Sequence, residues 1–105
     1  MSFVADIEIA ITLLPTASGG RNTALNLSGR GGPDYRPLFR VKGASEVFGV
    51  AFISGPSDPV PPGVTATAIV RCPYFPSAPE LVQGAEFEIL EGTRVVGHGR
   101  VVLRR

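Results

Sequence analysis

The sequence predicts an all-β fold, a six-stranded closed antiparallel β-barrel that residues 1–105 form as a single domain. Three observations support this prediction. Apolar and polar residues alternate in several short segments, which is the period of a half-buried strand. Thirteen Gly and ten Pro separate these segments with frequent turns. No segment has the 3.6-residue period of an amphipathic helix.

The first half of the chain contains three predicted strands. Residues 4–14 alternate strictly between apolar and polar side chains, which indicates a strand with one buried face. Residues 15–34 are rich in glycine and predict a long loop, with Leu25 and Leu27 as a candidate short seventh strand. Alternation returns over residues 36–42. Residues 47–53 are almost wholly apolar, which favours a strand buried on both faces.

The second half contains three more predicted strands, separated by two loops. Four prolines make residues 54–63 a loop, and small β-branched residues alternate over 64–71. Residues 72–84 form a second proline-rich loop, and 86–90 and 94–103 are predicted strands joined by a tight turn.

The last predicted strand carries the sequence feature that favours a barrel over a sandwich. Gly97 and Gly99 lie two residues apart, so they share one strand face with Val95, Val101 and Leu103. Glycines placed in this way allow a strand to bend sharply, as the corners of a barrel require.

Charge is distributed in blocks, although the net charge is only +1. Residues 9–45 carry five cations against one anion, residues 46–91 carry six anions against one cation, and residues 92–105 carry four arginines. Two interpretations remain open: a basic face that meets nucleic acid or an acidic protein, or two solvated faces of opposite sign.

The N-terminus lacks the pattern of a signal peptide, and no apolar run is long enough to span a bilayer. The single cysteine, Cys72, excludes an internal disulfide. We therefore expect a cytoplasmic protein that does not act at a membrane.

Residues that could carry catalysis or cofactor binding are sparse. No phosphate-binding loop is present, and the only lysine is Lys42, so we expect neither nucleotide binding nor an enzyme. Cys72 and His98 lack the neighbours that a zinc site or a catalytic pair needs. Glu86 and Glu88 alternate with core residues, which places them on the solvent face. We expect no cofactor and no metal.

Residues 18–23 offer one anion-binding pattern. A Gly-Gly pair frees the backbone for positive φ and exposes amide groups. The arginine that follows, Arg21, is then placed to contact a phosphate or carboxylate. The alternative, an ordinary loop whose arginine packs on its own domain, remains open.

Three segments resemble the C-terminal β-barrel, the third domain, of elongation factor Tu. Residues 19–23 read Gly-Gly-Arg-Asn-Thr, where that family typically has Gly-Gly-Arg-His-Thr. Residues 35–39 read Tyr-Arg-Pro-Leu-Phe against Tyr-Arg-Pro-Gln-Phe. Residues 91–99 read Glu-Gly-Thr-Arg-Val-Val-Gly-His-Gly against Glu-Gly-Gly-Arg-Thr-Val-Gly-Ala-Gly. Pro-Gly at 62–63 also falls where the family has Pro-Gly.

The resemblance implies a six-stranded barrel that is not itself the catalyst. In the elongation factor this domain packs on the nucleotide-binding domain and touches the T-stem of aminoacyl-tRNA and the exchange factor. The positions that match the family's motifs are the expected interaction surface, to which the exposed aromatic pair of the second proline-rich loop is added. These residues are Gly19, Gly20, Arg21, Tyr35, Arg36, Arg94, Tyr74 and Phe75.

The departures from the family pattern weaken the expectation of tRNA delivery. Asn22 stands where the family has His, and residues 40–43 replace a Thr-rich segment. The nucleotide-binding and second domains have no counterpart in these 105 residues. A barrel without those domains exposes the surface that they normally cover.

We therefore expect a non-catalytic interaction module that binds a protein partner or forms a homo-oligomer. The alternative is an RNA- or tRNA-binding, translation-associated accessory protein that uses an arginine-rich face, formed by Arg21, Arg30, Arg36, Arg94 and Arg100. A third hypothesis, a small-ligand or enzymatic site, requires a pocket beneath the long loops, because side chains normally fill a six-stranded barrel.

Overall fold

The computed structural model describes residues 6–14, 37–44, 46–71 and 81–104, and it is all-β. Its strands are β1 (Ile7–Leu13), β2 (Leu38–Val41), β3 (Phe48–Gly49), β4 (Ala51–Ser54), β5 (Thr65–Arg71), β6 (Glu86–Glu91) and β7 (Arg94–Arg104). Within the described ranges, no helix is long and apolar enough to cross a membrane.

The seven strands form one antiparallel sheet in the order β3-β2-β6-β7-β1-β5-β4. The sheet is a curled half-barrel, so the prediction of a closed six-stranded barrel is wrong in both closure and strand number. The predicted strand over 47–53 is divided at Val50 into β3 and β4. β3 pairs with β2 through only two residue pairs, and β4 pairs with β5. The two edge strands, β3 and β4, are thus neighbours in the chain but do not pair with each other.

The same segment corrects a second expectation, that residues 47–53 are buried on both faces. Phe48, Val50 and Phe52 are buried, as one strand face should be. Val47 and Ile53 are 40% and 38% exposed. Only one face of this segment therefore packs on the core, as in an antiparallel sheet with one solvated face.

The inward faces of the strands form one hydrophobic core. In β1 the burial alternates without a break, as the sequence predicts. Phe39 of β2 and Phe87 of β6 stack with ring centroids 4.3 Å apart. The buried cluster comprises Ile7, Ile9, Ile11, Leu13, Phe39, Val50, Phe52, Val60, Ala68, Val70, Leu81, Phe87, Ile89, Val96 and Val101.

Gly97 and Gly99 face this core, as predicted. A Cβ added at Gly99 would lie 2.6 Å from Cζ of Phe87 and 2.7 Å from the carbonyl oxygen of Ala10. At Gly97 it would lie 2.8 Å from the carbonyl oxygen of Thr12. The backbone of β1 and the side chains of β6 therefore approach β7 so closely that only glycine fits without a shift.

Two register shifts in β7 correct the predicted faces at its ends. Opposite β6, the pairing moves from Gly97 to Val95, so Val96 is an extra residue and is buried. Opposite β1, it moves from Val101 to Leu103, and Leu103 is 41% exposed. Such β-bulges reverse the alternation. Val95 and Leu103 consequently leave the face that they were predicted to share with Gly97.

The predicted tight turn between β6 and β7 is present. Glu91 pairs with Arg94, so only two residues form the loop. The first of them, Gly92, has φ +64°, a conformation that two-residue hairpin loops favour and that glycine adopts without strain.

Candidate functional site

A row of polar side chains crosses five strands on the outer face of the sheet. Directly paired residues lie on the same face of a sheet, and the pairing places Arg40, Glu88, His98, Thr12 and Thr65 side by side. Nε and one terminal nitrogen of Arg40 donate to Oε1 of Glu88 at 3.1 and 2.7 Å. The hydroxyls of Thr12 and Thr65 share a hydrogen bond of 2.7 Å. We call these five residues the first polar row.

A second polar row runs beside the first, two residues further along each strand. It contains Lys42, Glu86, Arg100, Ala10 and Thr67. Nζ of Lys42 lies 3.4 Å from Oε2 of Glu86. Ala10 has the smallest outward side chain of this row, so the surface dips where β1 passes Arg100. Charges of both signs surround this dip.

The two polar rows enclose a groove of about 660 Å³. This volume lies in the range of pockets that hold small ligands or side chains, roughly 300–1,000 Å³. Lys42, just after β2, and exposed side chains on β6 and β7 stand above strand backbone and Ala10. The lining residues are Ala10, Thr12, Lys42, Glu86, Phe87, Glu88, His98, Gly99 and Arg100.

A third row, next to the second polar row, is largely apolar. Leu103 pairs with Glu8, Glu8 with Ile69, and Ile69 with Ser54, which follows Ile53. Leu103 and Ile53 are 41% and 38% exposed, and Ile69 is partly exposed. We call Ile53, Ile69 and Leu103 the apolar outer row. The groove therefore has exposed apolar side chains at its side, with Glu8 lying between Leu103 and Ile69.

Of the predicted interaction residues, only Arg94 lies within the described part of the chain. It begins β7 with a side chain 60% exposed, and its nearest guanidinium nitrogen is 3.8 Å from Oε1 of Glu91. The other predicted site residues, Gly19, Gly20, Arg21, Tyr35, Arg36, Tyr74 and Phe75, lie outside the described residues. So do Cys72 and the anion-binding pattern at 18–23.

The groove itself was not predicted, although parts of it were visible in the sequence. The structure confirms that Glu86, Glu88 and His98 face outward, as alternation implied. The sequence places Arg100 only in an arginine-rich face. The missing information was the strand order, which places Lys42 and Ala10 beside Glu86 and Arg100.

At the end of the sheet opposite the first polar row, two charged side chains form an ion pair. Nε of Arg71, in β5, donates to Oδ1 of Asp6, just before β1. This hydrogen bond and the adjacent negative charge raise the pKa of the Arg71 guanidinium. Within the ranges that the structure describes, no group of three His, Cys, Asp or Glu side chains is placed to hold a metal ion.

Comparison with known proteins adds no family. No protein-family model matches this chain, and no curated protein matches it. The resemblance to the third domain of elongation factor Tu therefore stays a prediction from motif order.

Proposed function

We propose that this chain is a non-catalytic interaction module, similar to the C-terminal domain of elongation factor Tu, that binds a protein through the outer face of its sheet. The partner is another protein or a second copy of the chain, and the module acts in the cytoplasm. The observation that supports this most is the exposed apolar outer row beside a groove lined by charges. A protein interface typically combines an apolar centre with a polar rim.

The resemblance supports the choice of a binding role over a catalytic one. Residues 91–99, one of the three matching segments, form the β6–β7 hairpin and the first part of β7. β7 contributes His98 and Arg100 to the groove and Leu103 to the apolar outer row. Of these three residues, only His98 lies within the matching segment, and Arg100 and Leu103 lie beyond it.

The RNA-binding alternative has less support in the described residues. Arg94 lies beside Glu91 at the start of β7, and Arg100 lies six residues further on, roughly 15–20 Å along a strand. Glu86 and Glu88 stand between the cations of the outer face. A polyanion needs several converging cations, whereas a protein partner tolerates such mixed charge.

Replacing Leu103 by Lys is expected to abolish complex formation by this module. A lysine in the apolar outer row introduces a charge that must be desolvated when the partner binds, so the partner dissociates. The measurement is size-exclusion chromatography with light scattering of the tagged protein purified from cells. The wild type should carry a stoichiometric second protein or form a dimer, and Leu103→Lys should be a monomer.

The matched control is Val64→Lys. Val64 is 48% exposed and immediately precedes β5, so this variant adds the same charge away from the apolar outer row. It should keep the wild-type complex. A wild type that is monomeric and free of partners, or equal loss of the complex in both variants, would contradict the proposed function.

A further inference from the structure

Arg100 has an unusual position among the cations of the outer face. Arg40 is bonded to Glu88, and Lys42 contacts Glu86. Glu86 is also the cross-strand neighbour of Arg100, but its carboxylate lies with Lys42. With the residues that the structure describes, Arg100 forms no ion pair. Its guanidinium is exposed and lines the groove.

The ion pairs around the groove leave Arg100 without a partner among the described residues. Arg40 pairs with Glu88, and Lys42 pairs with Glu86. Both carboxylates already have a cationic partner. A guanidinium presents a planar set of donors that matches a carboxylate, and among the described residues that of Arg100 has no ion-pair partner. The ligand group that complements the guanidinium of Arg100 is thus a single carboxylate.

The apolar outer row adds a second requirement. Ala10 of the second polar row and Glu8 of the next row are two residues apart on β1, which is about 7 Å along a strand. A second acid there would meet the charge of Glu8, whereas an apolar side chain would rest against Leu103, which lies on β7 like Arg100. An extended segment with an acidic residue and an apolar residue two positions apart satisfies both.

We propose that the groove recognises an extended acidic segment of a partner protein, in which a carboxylate binds Arg100 and the apolar residue two positions away packs on the apolar outer row. This inference rests on the proposed function and names the chemistry of the partner. Charge complementarity favours a peptide over nucleic acid, because Glu8, Glu86 and Glu88 would each repel a continuous phosphate backbone.

The test uses two synthetic peptides. In the first, every second residue is Ser and the positions between are Glu and Leu in turn, so that Glu and Leu lie two positions apart. In the second, Gln replaces Glu. Binding is followed by amide chemical shifts in NMR titrations of the intact protein. The Glu peptide is expected to shift resonances of β7 and β1 at the groove and to weaken with added salt. The Gln peptide and the variant Arg100→Gln should each bind about fivefold more weakly, as for the loss of one exposed ion pair.

Arg71→Gln is the matched control, because it removes the same charge outside the groove and should leave the affinity for the Glu peptide unchanged. Equal binding of both peptides, or no shift at the groove, would overturn the inference. The inference would also be overturned, in favour of nucleic acid, by two results together: tRNA displaces the Glu peptide, and Arg100→Gln loses the binding of tRNA at the groove. The result for Leu103→Lys decides the proposed function independently of these outcomes.

Discussion

Replacing Phe39 by Ala is expected to lower the free energy of unfolding by about 3–5 kcal/mol, as for other buried Phe→Ala changes. Phe39 is fully buried, and its ring stacks on Phe87 at a centroid distance of 4.3 Å. The substitution leaves a cavity and removes a contact that joins β2 to the rest of the core. Aromatic pairs of this kind contribute about 0.5–1.5 kcal/mol beyond their area.

The measurement is equilibrium unfolding in urea, with the midpoint and slope compared between variants. Phe39→Leu retains most of the volume, so it should lose less stability and remain measurable if Phe39→Ala does not fold. Val64→Ala is a surface control, for which we expect a change within about 0.5 kcal/mol. A loss below about 1 kcal/mol for Phe39→Ala would mean that the Phe39–Phe87 pair is not at the centre of the core.

Replacing Gly99 by Ala is expected to destabilise the protein by about 1–3 kcal/mol through overpacking. The new methyl group would lie 2.7 Å from the carbonyl oxygen of Ala10 and 2.6 Å from Cζ of Phe87. The ring of Phe87 can move only by disturbing its stack with Phe39, and the carbonyl belongs to the β1 ladder. The strands must therefore separate locally.

Gly49→Ala is the matched control for this prediction. Gly49 lies in β3, its φ is not positive, and an added Cβ would have no atom within 4 Å. There the same methyl group restricts the unfolded chain, so a change between neutral and a gain of about 1 kcal/mol is expected. Thermal unfolding of the two variants side by side tests both. Equal stability of Gly99→Ala and wild type would contradict the close approach of β7 and β1.

The features of this fold that could be predicted are those that follow from the two-residue period of side chains along a strand. The alternation in β1 and the inward position of Gly97 and Gly99 follow from side chains pointing to opposite faces in turn. The bulge at Val96 inserts one residue into that period. Nothing in a run of valines and glycines marks which residue is the extra one, so the faces beyond the bulge could not be predicted.

The groove depends on long-range pairing, which the sequence does not reveal. Lys42 and Glu86 are 44 residues apart, and Thr12 and Thr65 are 53 apart. Alternation showed that Glu86 and His98 face outward, but not that β2 and β1 flank β6 and β7. The split at Val50 was missed for a similar reason, because a continuous apolar run gives no sign that its two halves pair with different strands.

Site-specific photo-crosslinking in intact cells tests the central claim, docking on the outer face, most directly. A photoreactive residue is placed at position 103, in the apolar outer row, and at position 64 as the control. Docking on this face predicts a discrete cross-linked product from position 103, either a dimer of this chain or a complex with one other protein, and none from position 64. No product from position 103, cross-linking to RNA alone, or the same products from both positions would contradict it.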